Sequence, residues 1–490
     1  MRKVLLALCG AIVTLIAVCL TRALMLPAAP SSESAESPVD LAQNRDAIAR
    51  RLAQAIRFET VSWGDARPMN EEAFAGFADF LEQTYPAAHR AMRRETVSSG
   101  SLLYRWPGTD ASAKPVAFLA HLDVVPVEPG TEAEWTHPPF SGAIADGAVW
   151  GRGALDNKGQ VITLMEAAER LAAQGFRPSR DVYFLFGHDE EVGGPAGAAA
   201  IAALLKERDV RFAWTLDEGS GLVDGVIPGA ARPIALIATA EKGYVTLRFS
   251  AVAAGGHSSA PAPDTAVSLV ARAVVAVTEE PYDLELDRSI VAFLHALAPE
   301  LPFARKVALA NLWLTGGMIK SAFAENPTLA ASMRTTTAPT MIDGGTKANV
   351  LPQRAEAYVN YRIHPRDSVE SVVARAVRLI REERVKVEAL EPSEPSPQSS
   401  VDSAGYRAIE DSVRSIFGPV AVAPSLTLQG TDTRNYIAEG VAADYYRFTP
   451  FIYRTDDLKR IHGTDERVLI DDLVRAAAFY EDLIRRAAGG

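Results

Sequence analysis

The body of this 490-residue sequence contains no cysteine. Its two cysteines, Cys9 and Cys19, both lie in the first apolar stretch. A disulfide framework, a zinc–thiolate site and a cysteine nucleophile are therefore excluded from the rest of the chain. Any metal ion bound there must be held by histidine and carboxylate side chains.

The sequence also lacks an excess of basic residues, because its formal net charge is −11 at pH 7. A broad nucleic-acid-binding surface is not expected on such a chain. No G-x-S-x-G elbow occurs, so a serine hydrolase of that type is not supported. What remains is an ordinary globular composition, 48% hydrophobic and 23% charged, on a chain long enough for two or three domains.

The N-terminal segment, residues 1–26, reads as a membrane anchor or a signal segment. Arg2 and Lys3 precede an uncharged apolar run (4–20) near the lower limit of roughly 17–25 residues for a spanning helix. This order predicts a cytoplasmic tip and an exported body on the extracytoplasmic or periplasmic face. A cleaved signal peptide, giving a secreted protein, is the alternative, although no clean small-x-small cleavage site follows. Residues 27–40, rich in Ala, Ser and Pro, read as a flexible tether.

From residue 41 onward, helical and strand-like patterns alternate, which predicts an α/β fold. The first part of this domain is predicted to cover 41–242. The pattern then changes to strands with one polar face, so 243–393 reads as an inserted α+β lid domain. Within it, 279–333 is an apolar, mostly helical-looking stretch. Residues 394–490 return to the first domain, whose central sheet is expected to carry helices on both faces.

Two local features of the lid are predicted from single residues. Asp264 is expected to cap a helix over 265–278, because a short acidic side chain can accept hydrogen bonds from the first turn. The segment EPSEPSPQSS, 391–400, is expected to be a hinge between the lid and the first domain.

Three predicted buried strands end in histidine or carboxylate residues. The strands and the residues that follow them are 116–120 with His121-Leu122-Asp123, 182–186 with Gly187-His188-Asp189-Glu190-Glu191, and 212–216 with Asp217-Glu218-Gly219. Ligands gather outside the carboxyl ends of strands in open α/β sheets, so these residues should converge. Any one segment alone could be an ordinary polar loop or a helix cap, and it is their coincidence that indicates function.

Such a cluster of carboxylates needs a cation. Ionised carboxylates repel one another, and burial is costly unless they are paired or bound to metal. With imidazole and carboxylate ligands, Zn²⁺ is the first expectation, with Co²⁺ or Mn²⁺ behind it. A fourth segment, WGRGALDNKG at 150–159, lacks the spacing of a P-loop but can present Asp156 before a helix. Its alternative role is to cap that helix.

Six short motifs follow one another along the chain in the order that a known family shows. They are HLD at 121–123, GRGALDNK at 151–158, GHDEE at 187–191, LDEG at 216–219, GGHSSAP at 255–261 and IHG at 461–463. Together they resemble the zinc aminoacylase/carboxypeptidase family of metallopeptidases, and most of all its carboxypeptidase S branch, which includes N-fatty-acyl amino acid hydrolase/synthases. The resemblance spans residue 41 to the C-terminus and implies the dinuclear zinc exopeptidase fold.

The resemblance assigns two Zn²⁺ ions to the chain. It implies that Asp156 bridges them and that the remaining ligands are His121 and Asp217 on one ion and Glu191 and His462 on the other. Glu190 is implied as the general base and acid. Asp123 would stand behind His121 and orient its ring.

Further roles in the lid and the last segment are implied by the same resemblance. His257 would stabilise the tetrahedral oxyanion, and in dimeric members it comes from the partner subunit, so a homodimer and a monomer both stay open. Arg362 and Asn349 match positions that hold substrate, and Gly430 lies in a loop on the substrate side. The alternatives are an incidental turn histidine and a surface salt bridge.

The function that follows is hydrolysis of the amide bond next to a C-terminal or free amino acid. The expected substrate is a small peptide or an N-acyl amino acid, and the membrane would be touched only through the N-terminal segment. One alternative is an N-deacylase of small metabolites. The other is a catalytically dead, membrane-anchored binding protein, which the presence of all expected ligands and the base argues against.

Overall fold

The computed structural model describes residues 2–26, 45–64, 67–227 and 229–489. The predicted tether, 27–40, therefore lies outside the described residues. The α-helices are α1 Arg2–Met25, α2 Arg45–Ile56, α3 Glu71–Thr84, α4 Pro86–Ala91, α5 Lys158–Ala173, α6 Ala198–Glu207, α7 Ala266–Thr278, α8 Arg288–Leu297, α9 Phe303–Ala310, α10 Leu312–Ala324, α11 Pro327–Ser332, α12 Val369–Ile380, α13 Ala404–Phe417, α14 Thr433–Glu439 and α15 Ile470–Ala488.

The strands alternate with these helices along the chain. They are β1 Arg93–Val97, β2 Ser101–Trp106, β3 Val116–His121, β4 Ala143–Ala145, β5 Ala148–Trp150, β6 Val182–Gly187, β7 Phe212–Asp224, β8 Ile234–Glu241, β9 Gly243–Val252, β10 Gly256–His257, β11 Thr336–Asp343, β12 Val350–Leu351, β13 Arg354–Ile363, β14 Val385–Ser393, β15 Ala421–Thr427, β16 Ala442–Arg454 and β17 Arg467–Leu469.

The main sheet has eight strands in the order β1-β2-β6-β3-β7-β16-β8-β15. Its centre is parallel, since β3 pairs in parallel with β6 and β7, and β7 with β16. Every residue of β3 and β6 is buried, as expected for strands covered on both faces. Helices α2, α5, α13 and α15 pack on one face, and α6 and α14 on the other. The predicted α/β fold with a central sheet flanked by helices is confirmed.

A second, four-stranded antiparallel sheet has the order β11-β13-β9-β14. Buried and half-buried residues alternate along β9 and β13, as the sequence pattern predicts for a sheet with one wet face. Helices α7 and α12 cover its other face and complete a separate hydrophobic core. This sheet begins at Gly243 and ends at Ser393, while the boundaries drawn from the sequence stay predictions.

One local prediction for the lid is wrong. The cap of α7 is Thr265, which shares a reciprocal pair of hydrogen bonds with Ser268, whereas Asp264 forms ion pairs with Arg272 and Arg384. A Thr/Ser pair three residues apart satisfies two backbone donors at once, which a lone Asp one residue earlier cannot do.

The predicted hinge is partly ordered structure. Strand β14 runs to Ser393, and two later amides are hydrogen-bonded to β8. Ser396 N donates to the carbonyl of Glu241 at 3.0 Å, and Ser399 N donates to that of Thr239 at 2.8 Å. The return path from the lid is therefore pinned to the main sheet.

Candidate metal centre

The parallel strands bring three polar segments to one edge of the main sheet. His121 is the last residue of β3, directly beside Gly187 at the end of β6. The chain after β6 forms a short 3-10 turn that begins at Glu190. Asp217 and Glu218 lie in β7, the strand on the other side of β3. The predicted convergence at the carboxyl ends is confirmed.

Two groups of potential metal ligands share Asp156. The first consists of His121, Asp156 and Glu218, and the second of Asp156, Glu191 and His462. His121 Nε2 lies 3.0 Å from Asp156 Oδ1 and 3.5 Å from Glu218 Oε1. His462 Nε2 lies 3.1 Å from Asp156 Oδ2 and 3.2 Å from Glu191 Oε2. The two oxygens of one carboxylate thus face two different groups.

These distances fit the edges of a metal coordination sphere. Ligands that bind Zn²⁺ at roughly 2.0–2.2 Å in tetrahedral geometry lie about 3.4 Å from one another. Glu191 Oε1 is buried and has no hydrogen-bond partner, so it offers a free acceptor inside the second group. The donor set of imidazole and carboxylate, without thiols, is the set that zinc uses in catalytic sites. The residues present therefore fit a pair of divalent cations.

The charge of the site points the same way. Burial raises the pKa of Glu191 to about 7, and burial together with the nearby Asp156 raises the pKa of Glu218. Burial also raises the pKa of Asp432 well above its ordinary range, with a further contribution from Asp217. Hydrogen bonds to Asp156 and Glu191 raise the pKa of His462 to about 10. The site thus holds more carboxylates than its own side chains neutralise, and a bound cation would relieve this.

One predicted ligand is not part of either group, and its assignment stays a prediction. Asp217 is absent from both groups, because Oδ2 accepts from Thr433 N and Oγ1 at 2.9 and 2.6 Å and Oδ1 accepts from Glu218 N. Its neighbour Glu218 contributes the oxygen instead, and the other Glu218 oxygen accepts from Asn157 Nδ2 at 2.8 Å. Adjacent side chains of a strand project to opposite sides, so only one of the pair can face the site.

Asp123 has a larger role than orienting one ring. Its Oδ1 lies 3.2 Å from His121 Nδ1, as the resemblance implies. Its two oxygens also accept from the backbone amides of Glu190 and Glu191, at 3.2 and 3.1 Å. A single buried carboxylate therefore fixes the histidine of one group and the turn that carries the acids of the other.

A buried ion pair that the sequence did not reveal supports Asp156, the residue that both ligand groups share. Arg152 Nη1 donates to Glu466 Oε2 at 2.7 Å, and the other Glu466 oxygen accepts from the amides of Leu155 and Asp156. Arg152 Nη2 also donates to the carbonyl of His462. Arg152 and Glu466 are 314 positions apart, so no local pattern could have paired them.

Glu190 stands beside the two groups without belonging to either. Its side chain is buried, and burial raises its pKa well above the ordinary value, opposed by the charge of His121. Arg434 Nη2 lies 3.7 Å from Glu190 Oε1. A buried carboxylate beside the two ligand groups has the placement that proton transfer needs.

The residues predicted for the lid are not gathered at the metal groups. His257 is exposed on the β10–β12 ribbon, and its Nδ1 contacts Ser259 Oγ at 2.7 Å. Asn349 is exposed next to it, and its carbonyl accepts from Ser258 N. In the described part of the chain, no hydrogen bond or ion pair joins either side chain to the metal groups.

Arg362 and Gly430 are linked through Arg434. Arg362 is half-buried, and its guanidinium lies over the ring of Tyr244. Burial lowers the pKa of Arg362, and the nearby charge of Arg434 lowers it further. Gly430 lies so close to Arg434 that a Cβ there would stand 2.6 Å from Nη1. Arg434, which was not predicted from the sequence, thus affects Arg362 of the lid through its charge and also lies close to Glu190.

An apolar cavity of about 350 Å³ lies between the lid insertion and β15. Its walls include Ile290 and Phe293 of α8 and Leu426 after the middle of β15. Ser425 also lines the cavity, and its Oγ lies 3.2 Å from the Oγ of Ser220. Ser220 is two residues after Glu218 on the same strand, β7. The cavity thus adjoins the strand that carries a metal ligand.

Comparison with known proteins agrees with this geometry. The family model described as peptidase family M20/M25/M40 matches residues 117–486. The human N-fatty-acyl-amino acid synthase/hydrolase PM20D1 is 35% identical over 451 residues, covering 91% of this chain and 88% of the relative. Carboxypeptidase S of Saccharomyces cerevisiae is 30% identical, covering 90% of this chain and 84% of the relative.

Among solved structures, the M20 family metallo-carboxypeptidase Sso-CP2 of Sulfolobus solfataricus superposes with a TM-score of 0.64. The two chains are 19% identical, and the match covers 89% of this chain and 98% of the other, which supports the shared fold. Sequence and structure lead to the same assignment: this chain belongs to the peptidase family M20/M25/M40.

Proposed function

We propose that the chain is a dinuclear zinc amidohydrolase that cuts the amide bond next to a free amino-acid carboxylate. The observation that carries the proposal is Asp156, whose two oxygens face two separate ligand groups. Family membership supports metal-dependent amide hydrolysis in general. The number and identity of the ions belong to the proposal and rest on the donor set and its spacing.

Zinc bound by the two groups would polarise the amide carbonyl and favour deprotonation of the attacking water. The proton of that water passes to Glu190, whose raised pKa suits a group that first accepts a proton and then gives it up. Glu190 then delivers the proton to the leaving amine. Asp123 keeps the Glu190–Glu191 turn in place during this exchange through its two backbone contacts.

The free carboxylate of the substrate would be held by arginine. Arg362 from the lid is close enough to Arg434 of the first domain for the charge of Arg434 to lower its pKa, and the planar fork of a guanidinium binds a carboxylate through two hydrogen bonds. Arg434 stands within 3.7 Å of Glu190 Oε1, so a carboxylate bound there would lie next to the reacting amide. Asn349 would join them only after the lid moves.

The acyl side of the substrate would be apolar. The wall surface of the cavity beside β15 is mainly apolar, although Asp287 and Arg366 also line it, and the cavity adjoins the Glu218 strand. It therefore favours a long acyl group or an apolar side chain over acetyl. A small-metabolite N-deacylase would have no use for this cavity. Comparing turnover of an acetylated amino acid, a dipeptide and a long-chain N-acyl amino acid at fixed zinc separates these alternatives.

We further propose that the chain is exported and anchored by α1, and that it works as a homodimer. Helix α1 is long and apolar enough to cross a membrane. Strand β11 is the edge of the lid sheet, and it exposes Met341 and Ile342, each 64% accessible. A second copy that covers this edge could supply the exposed His257 to the site. If α1 is cleaved, the product is secreted instead.

The substitution Glu190→Gln tests the central claim. It removes the proton acceptor and leaves every proposed ligand in place, so we expect turnover to fall by several orders of magnitude with two metal ions still bound. Elemental analysis and a steady-state assay on the same preparation measure both quantities. Turnover that survives the substitution contradicts the role of Glu190, and metal-free protein that zinc cannot reconstitute supports the inactive binding protein.

A further inference from the structure

Helix α10 in the lid insertion is apolar but has little of its surface covered. It has 13 residues, and Lys320 is its only charged one. Gly316 is its only buried residue, while Trp313, Leu314 and Met318 are 59%, 54% and 66% accessible. A helix that is apolar on all sides is normally enclosed by protein or by lipid. The described residues do not enclose it, so they leave an apolar surface open to a partner.

The same surface is continuous with the N-terminal helix. Asn311 Nδ2, at the start of α10, donates to the carbonyl of Cys19 at 3.0 Å. Arg22 Nε donates to the carbonyl of Ala310 at 3.1 Å, and Ala23 is fully buried at this junction. The beginning of α10 therefore lies level with the last turns of α1. A membrane around α1 would reach α10 as well.

The charge of this segment matches an anionic lipid surface. Residues 301–324 contain Arg305, Lys306 and Lys320 but no aspartate or glutamate, although the whole chain carries a net charge of −11. Phe303, at the start of the neighbouring α9, adds a further exposed aromatic side chain. Aromatic rings combined with basic residues are typical of helices that lie in the membrane interface.

We propose that α9 and α10 form a membrane-docking face, defined by Phe303, Trp313, Leu314 and Met318, that lies in the interface of an anionic bilayer. At about 1.5 Å per residue, α10 is about 20 Å long, too short to cross the hydrocarbon core, so it lies along the surface. The chain thus meets the membrane through its lid as well as through α1. Because the lid insertion also lines the apolar cavity, docking would hold the cavity beside the bilayer.

Spin labelling of the full chain tests this face directly. The chain has only two cysteines, so Cys9→Ser with Cys19→Ser gives a background for single labels. Met318→Cys reports the docking face, Val13→Cys reports the middle of α1, and Ala111→Cys in an exposed loop of the first domain is the solvent control. The protein is reconstituted in nanodiscs of phosphatidylcholine and phosphatidylglycerol. Collisions of each label with oxygen and with a water-soluble nickel complex are then measured.

We expect the label at Met318 to collide several-fold more with oxygen, relative to nickel, than the label at Ala111. A label at Met318 that is as open to nickel as the one at Ala111 overturns the proposal. A label shielded from both reagents also overturns it, because a second protein copy would then cover the face. If the label at Met318 is in lipid and the label at Val13 is not, the result supports the docking face and contradicts the membrane anchor α1. The readout needs no turnover, so failure of the proposed hydrolase activity would be seen separately.

Discussion

Asp217 and Glu218 show how a single residue decides which side chain reaches the metal site. Both acids follow the same buried strand, and the resemblance assigned the ligand to Asp217. In the structure, Asp217 instead caps the first turn of α14 through Thr433, and Glu218 faces His121. The two acids therefore have separate partners, Thr433 at the start of α14 for Asp217 and His121 for Glu218.

The substitutions Glu218→Gln and Asp217→Asn distinguish these functions. Glu218→Gln removes an anionic ligand, so we expect bound metal to fall from two ions toward one, with turnover falling in parallel. Asp217→Asn keeps an acceptor for Thr433 and should retain both ions with a modest loss of stability. Elemental analysis and thermal unfolding of both variants measure this. Metal loss in Asp217→Asn alone would restore the original assignment.

Much of the site at the residue scale could be read from the sequence. His121, Asp156, Glu191 and His462 were predicted as ligands, and the structure brings them together in two groups that share Asp156. Their recognition was possible because short motifs at strand ends mark them. The Arg152–Glu466 pair carries no such mark, since each residue alone resembles an ordinary surface charge. Which of two adjacent acids faces inward also depends on strand orientation, which the motif does not contain.

At the scale of elements, the loop before α14 connects the base to the proposed carboxylate site. Gly430 makes room for the guanidinium of Arg434, which reaches toward Glu190. The proposed substrate-side role of Gly430, a residue without a side chain, rests on this connection. The role of Gly430 is indirect, because it acts through the position of Arg434.

Gly430→Ala should therefore weaken substrate binding more than folding. The added Cβ would lie 2.6 Å from Arg434 Nη1, and the flexible end of that side chain can move away. We expect KM for substrates with a free carboxylate to rise roughly tenfold, as for the loss of a charge-assisted hydrogen bond. A substrate whose carboxylate is amidated serves as the control and should be unaffected. An equal rise for both substrates would contradict the role of Arg434.

Elements were predictable where the hydrophobic pattern was strong. The three buried strands begin at the predicted residues, because burial on both faces leaves a continuous apolar run. Strands β9 and β13 show the alternation that the sequence pattern predicts for a sheet with one polar face. The cap of α7 was misplaced by one residue, since two candidate cap residues, Asp264 and Thr265, follow one another. The arrangement of α8 to α11 could not be predicted from the sequence. Some of their apolar residues line a cavity, some pack near α1 and some are exposed, so no single buried face marks how these helices pack.

At the scale of the whole molecule, Lys242 joins the two sheets. It stands between β8 and β9, and its buried Nζ donates to the carbonyls of Ala331 and Arg334 at 2.9 and 2.8 Å. Burial, with the nearby charges of Arg362 and Arg334, lowers the pKa of Lys242 from 10.5 to about 7. The junction of the lid with the first domain thus contains a group that titrates near neutral pH.

The stability of the chain should therefore rise with pH in a defined window. Between pH 7 and 10.5, the two pKa values of Lys242, the unfolded chain holds a proton that the folded chain does not. The free energy of unfolding then rises with pH, by up to about 1.4 kcal/mol per unit. Below about pH 7, Lys242 is protonated in both the folded and the unfolded chain, so its contribution to the free energy of unfolding no longer changes with pH. Urea unfolding at several pH values should show this rise for the wild type and its loss in Lys242→Met. Parallel profiles for the two proteins would contradict it.

The position of His257 bears on whether the histidine acts in the site of its own chain or in the site of a second copy. Its ring is exposed on the lid, and the described contacts do not join it to the metal groups. The lid sheet has an edge strand, β11, that the described residues leave exposed. A second copy that pairs through this edge would present His257 to the site of its partner, so we expect the histidine to act between subunits.

Mixing two inactive variants tests this arrangement. His257→Ala and Glu190→Gln are produced together with different affinity tags, and the mixed species is isolated by two successive purifications. If His257 acts between subunits, one of the two sites in a mixed dimer has both Glu190 and a partner histidine, so about half of the wild-type activity should return. If it acts within its own chain, both sites of the mixed dimer lack one residue and activity stays absent. Failure to recover any mixed species would contradict the homodimer itself, because exchange between identical interfaces should form it.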